Sequence, residues 1–289
     1  MTGALEAEPR EVESREIRAQ AADGHSYALL ARIPQQPQRS LLWLPALGIA
    51  AKHYLPIAEA LARRGVAVFV HEWRGHGSSA FRASRACDWG YRELLTIDLP
   101  ASEAAIADTV PAVPRTIGGH SLGGQLACCR LAIAPQTADS IWLVGTGAPY
   151  WRAFPLPHRL WLPLAYRFLP WLADRNGYLP GRRIGFGGNE ARGVIRDWSR
   201  TAISGRYAAR RLDVDLEAAL AKIEAPVRAI ALAHDWLGPP SSLRFLLSKM
   251  PHADIDAEVL DADALGTNAD HYAWMKAPDA VAARLDRRA

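Results

Sequence analysis

The chain has 289 residues, 49% of them hydrophobic, which suffices for a large core in one α/β domain carrying an insertion. Its 34 basic and 30 acidic residues leave a formal charge of +4 and are interleaved rather than gathered in a block, so nucleic-acid binding has little support. The charged start "MTGALEAEPREVESRE" lacks the apolar stretch of a secretory signal, and no apolar run reaches the roughly 20 residues that span a bilayer; the expectation is a cytoplasmic protein without stable membrane insertion.

In chain order, "REIRAQAADGHSYALLARIP" predicts two strands joined at Asp23-Gly24, a pair suited to positive φ. "SLLWLP" is a short apolar strand, and "YLPIAEALARRG" has helical spacing that stops at Gly65. "VAVFVHEW" is β-branched and aromatic, as a strand buried on both faces should be. "LPASEAAIADTV" predicts a helix, "RTIGGH" a strand, and "LGGQLACCRLAIA" a helix halted by Pro135. "ADSIWLVGTG" and "APVRAIALAH" are two further strands, "SSLRFLLSKM" is a helix, and "ADIDAEVLD" is the last strand before a C-terminal helix. Such alternation implies a mostly parallel central sheet with helices on both faces, its functional loops at the carboxyl ends of the strands.

The alternation stops for about seventy residues after "GTGAPYW". This stretch is rich in aromatic residues and interrupted by prolines at 155, 157, 163, 170 and 180. It predicts a helix-broken inserted helical cap over the active edge, with Trp151, Phe154 and Trp198 as candidate pocket residues. The plainer alternative is a small helical subdomain whose aromatics form only their own core. The division is then 1–149 and 223–289 for the core and 150–222 for the cap. Within it, "LWLPLAYRFLPWL" is too short and broken to span a membrane, although it could lie against an apolar interface.

Gly119, Ser121 and Gly123 make a G-x-S-x-G at a strand-to-helix junction, the sharp turn that lifts a serine hydroxyl above a sheet. The bland alternative for Ser121 is a helix N-cap. A serine hydroxyl is a poor nucleophile at neutral pH, so a histidine must take its proton and an acid must orient that histidine. His120 adjoins the serine and is expected to point away from the turn. His271, in "TNADHYAWM", lies on the loop after the last strand. Asp235, in "ALAHDWLGPP", directly follows a strand, while Asp261, Asp263 and Asp270 compete from positions close to His271 in sequence. "RGHGSS" lacks the lysine and length of a phosphate loop and is read as a structural turn. His71 and His76 have no third ligand in view, and Cys87, Cys128 and Cys129 lack metal-ligand spacing, so no metal or cofactor is expected.

The stretches "LLWLPALGIAAKHYLPIAEALARRG", "HEWRGHGSS", "GGHSLGGQ", "HDWLGPP" and "DHYAW" resemble the α/β-hydrolase superfamily. The segment "GYLPGRRIGFGGNEARGVIRDWSR" is similar to bacterial predicted hydrolases akin to serine-aminopeptidase-like hydrolases and lysophospholipases. The resemblance implies Ser121 as nucleophile, Asp235 as acid and His271 as base, with an oxyanion hole from the backbone N–H groups of Leu122 and Leu47. Two departures stand out. Pro45-Ala46 replaces the common His-Gly, leaving Leu47 or Ala46 open as the second donor, and Gly238 stands where relatives carry an apolar residue after the acid. The expected partner is a small hydrophobic ester-like substrate. An acyltransferase with the same three residues and a non-catalytic binding protein are the alternatives, and the oligomeric state is not assigned.

Overall fold

The Asp23-Gly24 pair makes its turn with Gly24 at φ +88°, and β1 (Val12–Gln20) pairs antiparallel with β2 (Ser26–Pro34). This is a computed structural model that describes residues 11–110 and 112–287; most of the charged start used above against a leader, residues 1–10, lies outside the described residues. β3 (Arg39–Leu44) leads through a 3-10 turn and α1 (Leu55–Arg63) to β4 (Val66–Val70), and the two strands are parallel. A turn-rich loop then reaches α2 (Tyr91–Glu93), a π-helical stretch at Leu94–Asp98, and α3 (Leu99–Thr109).

β5 (Arg115–His120), α4 (Leu122–Ile133) and β6 (Ser140–Val144) form the central unit. The interruption that follows holds α5 (His158–Asn176), β7 (Leu179–Pro180), α6 (Gly181–Ile184), β8 (Asn189–Glu190), α7 (Arg192–Ser204) and α8 (Leu216–Leu220). The alternation resumes with β9 (Val227–Leu232), α9 (Pro240–Leu247), β10 (Ile255–Leu260), α10 (Ala262–Leu265) and α11 (Asp279–Leu285).

Eight strands form one sheet in the order β1-β2-β4-β3-β5-β6-β9-β10, parallel from β4 to β10, with β1 and β2 antiparallel at one edge. The central strands are buried on both faces, which is why β4 and β6 read as near-continuous apolar runs. Alternate residues feed opposite faces: Leu42 and Leu44 join one hydrophobic cluster, Leu41 and Trp43 the other. With the strands parallel, the loops after β3, β5, β6, β9 and β10 emerge on one edge of the sheet.

One expectation is corrected. Prolines 163 and 170 do not break the inserted segment, because α5 runs through both for 19 residues. Each proline removes one backbone hydrogen bond, but Leu162, Tyr166, Leu169 and Ala173 are buried along one side, and that packing outweighs the local defect. Among the described residues no helix is long and apolar enough to cross a membrane.

Candidate active site

Ser121 sits between β5 and α4 with φ +55° and ψ −120°, a backbone no regular element uses. The glycines around it admit a neighbouring strand: a Cβ on Gly119 or on Gly123 would run into the Leu44 carbonyl oxygen at the end of β3. The serine thus stands at the head of α4, whose first N–H groups, Leu122 included, have no acceptor within the helix.

Asp235 lies on the loop after β9, and His271 on the loop that follows β10 and α10; the two meet beyond the loop of β6. The His271 Nδ1–H donates to Asp235 Oδ2 at 2.6 Å, and both residues are buried. This contact fixes Nε2 as the unprotonated nitrogen of a neutral ring. Asp235 Oδ1 accepts the N–H groups of Leu237 and Gly238, each at 2.9 Å, so both carboxylate oxygens are held. Gly238 has a physical reason: a Cβ there would lie 2.7 Å from the Gly145 carbonyl oxygen. The His271 loop is braced in turn. Asp270 Oδ1 accepts from Tyr272 and Ala273, and the Trp274 indole donates to the His271 carbonyl at 3.1 Å. Asp261 instead caps α10 through Ala264, so of the competing aspartates neither it nor Asp270 is the one paired with His271.

His120 is fully buried and turned away from the pocket. Its Nδ1 accepts from the Tyr54 hydroxyl at 2.9 Å, and Tyr54 accepts the Ala46 N–H at 2.8 Å. Burial, with His271 close by, pushes the His120 imidazole well below the ordinary histidine range, so it stays neutral. Tyr54 gave no sequence signal, since nothing local ties position 54 to positions 46 and 120. The Ala46 N–H is thus already engaged by Tyr54. His71 and His76 go to different partners, Ser102 and Glu190, rather than to a shared site.

Ser121, Leu122, Leu47 and His271 line one pocket of about 580 Å³. Half of its lining residues come from positions 154–198, including Phe154 and Trp198, which the sequence singled out. Trp151 is not among them: it packs beside Tyr150 and under the Arg152 guanidinium. Its aromatic character gave no information about direction. The sequence missed Gln125, Trp236 and Tyr272, which also line the pocket. Gln125 lies four residues after Ser121 on α4, so helical spacing alone could have placed it beside the serine; its Oε1 is buried with no hydrogen-bond partner among the described residues. Trp236 stacks on His158 of α5 with ring centroids 5.5 Å apart, tying the Asp235 loop to the inserted segment.

A mostly parallel eight-stranded sheet, a serine at a strained strand-to-helix turn and a buried acid–histidine pair on later loops define a member of the α/β-hydrolase superfamily. The chain belongs within it to the family described as serine aminopeptidase, S33, which matches residues 35–262. Among solved structures it is similar to a hypothetical protein of Pseudomonas aeruginosa, at 13% identity and TM-score 0.62 over 99% of this chain and 96% of that one. It is also similar to an esterase of Pyrococcus furiosus, at 16% identity and TM-score 0.55 over 94% and 89% of the two chains. A thioesterase domain from the curacin biosynthetic pathway aligns at 17% identity and TM-score 0.58 over 94% and 98%. No curated protein matches the chain.

Proposed function

We propose that the protein is a serine hydrolase acting on carboxylic esters with a hydrophobic acyl or alcohol group. The observation that carries this reading is the 2.6 Å contact between His271 and Asp235 in loops flanking the pocket that Ser121 lines. Ser121 Oγ attacks the ester carbonyl carbon and passes its proton to His271 Nε2. The carbonyl oxygen takes the negative charge and is held by the N–H groups of Leu122 and Leu47; each such donor is worth on the order of 3 kcal/mol in the transition state. Collapse expels the alcohol, which takes the proton from His271 and leaves Ser121 acylated. A water molecule deprotonated by the same nitrogen then releases the acid and restores the serine.

Residues 150–222 act as the cap in this reading, supplying the apolar half of the pocket through Phe154, Tyr166, Leu169 and Trp198. An apolar lining favours a hydrophobic substrate group, and Gln125 offers one polar contact within it.

The test is labelling of the purified protein with a fluorophosphonate and mapping of the adduct by mass spectrometry, with Ser121→Ala and His271→Ala as controls. Adduct on Ser121 that vanishes in both variants supports an activated serine, and a p-nitrophenyl ester series then reads chain-length preference. A folded protein that takes no label at Ser121 overturns the assignment.

A further inference from the structure

The side of α5 that faces away from the core is apolar. Leu160 is 73% exposed, Leu164 70%, Phe168 49% and Trp171 56%, and their spacing of four, four and three residues aligns them on one stripe. The solvent side of a helix packed on a globular core is ordinarily polar, so this one is built for something other than water. The charges around it have one sign. Arg152, Arg159, Arg167, Arg175, Arg182 and Arg183 are exposed, while the only exposed acid between residues 150 and 189 is Asp174, paired with Arg196. Among the described residues none of the six arginines is paired with a carboxylate.

The stripe also runs into the pocket mouth. Trp161, Phe168, Ile184 and Trp236 are each at least 42% exposed and each line the pocket that holds Ser121. A substrate entering there passes over the apolar face.

We propose that α5 and α6 form a docking face for an anionic lipid surface, with the apolar stripe seated at the headgroup–acyl boundary and the pocket mouth open to it. Trp, Leu and Phe on one side with arginines around them is the composition of a helix that lies in a membrane interface. Guanidinium groups hold lipid phosphates in bidentate fashion. A second copy of this chain is disfavoured as the occupant, because it would bring the same six arginines face to face. Docking does not depend on the chemistry assigned to Ser121; the added consequence, that the ester enters from the lipid phase, rests on that reading.

The experiment is co-sedimentation with sucrose-loaded vesicles of phosphatidylcholine, alone or with about 30 mol% phosphatidylglycerol. Wild type and Ser121→Ala should sediment equally with the anionic vesicles, far less with the neutral ones, and lose binding at about 0.5 M salt, where charges are screened within a few ångströms. Combining Arg159→Gln and Arg167→Gln should lower the partition coefficient about fivefold per arginine. Combining Leu160→Ser, Leu164→Ser and Trp171→Ser should lower it by more than about tenfold. Those three side chains lie outside the pocket lining, so hydrolysis of a short soluble ester and the unfolding temperature should hold steady in that variant. The proposal is overturned by wild type that ignores anionic vesicles, or by partition that the combined Leu160→Ser, Leu164→Ser and Trp171→Ser variant leaves unchanged. It is equally overturned if the face proves to be covered in solution by a second copy, seen as a dimer that the Leu160→Ser, Leu164→Ser and Trp171→Ser combination converts to monomer. Binding to an acidic carrier protein with none to vesicles overturns it as well.

Discussion

Replacing Tyr54 with phenylalanine tests how the loop after β3 is held beside the pocket. The ring is fully buried and phenylalanine keeps its shape, so the substitution removes one oxygen and opens no large cavity. That oxygen accepts the Ala46 N–H at 2.8 Å and donates to His120 Nδ1 at 2.9 Å. Its loss leaves two buried polar groups without partners, and shifting the His120 proton to Nδ1 would only exchange an unmet acceptor for an unmet donor. Each orphaned group costs about 1–3 kcal/mol, so the expected loss is about 3 kcal/mol in all. For a chain of this size that corresponds to a melting point lowered by about 6–12 °C. Urea unfolding followed by tryptophan fluorescence, together with a far-ultraviolet melt, reads both quantities. Ester turnover should fall about tenfold, because Leu47 follows Ala46 directly and loses the anchor that aims its N–H. A Tyr54→Phe protein within about 0.5 kcal/mol of wild type would refute the reasoning, since two unmet buried groups cannot cost so little.

Asp235→Asn should retain the fold, because the amide oxygen can still accept from Leu237 and Gly238. Turnover of a p-nitrophenyl ester should nevertheless drop by about 10⁴ as His271 is held in the wrong tautomer. Gly123→Ala should destabilise by about 3 kcal/mol or prevent soluble expression, read by denaturant melt, because the new methyl meets the Leu44 carbonyl where β3 crosses α4. The His76–Glu190 pair joins the loop after β4 to β8. Burial by itself would lower the His76 pKa, yet Glu190, with Glu72 nearby and Arg182 opposing, raises it above its ordinary 6.5. A raised histidine stabilises most below the unfolded value and loses that contribution as pH climbs through the folded one. Wild type should therefore exceed His76→Gln in stability at about pH 5.5 and converge with it by about pH 9, as measured by urea midpoints. A gap that widens with pH would reverse that sign.

The parts of the fold that were legible are those in which neighbours in sequence share one environment. β4 and β6 are largely apolar because both of their faces are covered, and the turn at Gly24 shows because only a few residue types take its φ. The serine turn was visible for the same reason: Gly119 and Gly123 answer to a backbone passing nearby. Loop position after a strand made Asp235 and His271 candidates, but not the 2.6 Å contact between them, which depends on the order of β9 and β10 in the sheet. What stayed hidden are the links formed only by the assembled sheet. Tyr54 reaches His120 across 66 residues and His76 reaches Glu190 across 114, with no pattern in between. The continuity of α5 was hidden for a related reason, since proline is a local signal and the packing of Leu162, Tyr166 and Leu169 that overrides it is not.

The backbone of Ser121 carries a further consequence. Its φ of +55° and ψ of −120° are the mirror image of an ordinary extended conformation, available to glycine but strained by about 1–3 kcal/mol for a residue with a side chain. The chain is therefore less stable with a side chain at this point than it would be with glycine. A Ser121→Gly protein sheds the strain while Ser121→Ala retains it, so the difference in stability between these two inactive forms isolates the strain, apart from the small extra freedom of unfolded glycine. In a lineage released from the need for turnover, position 121 would be among the first to drift, and glycine is where it would go.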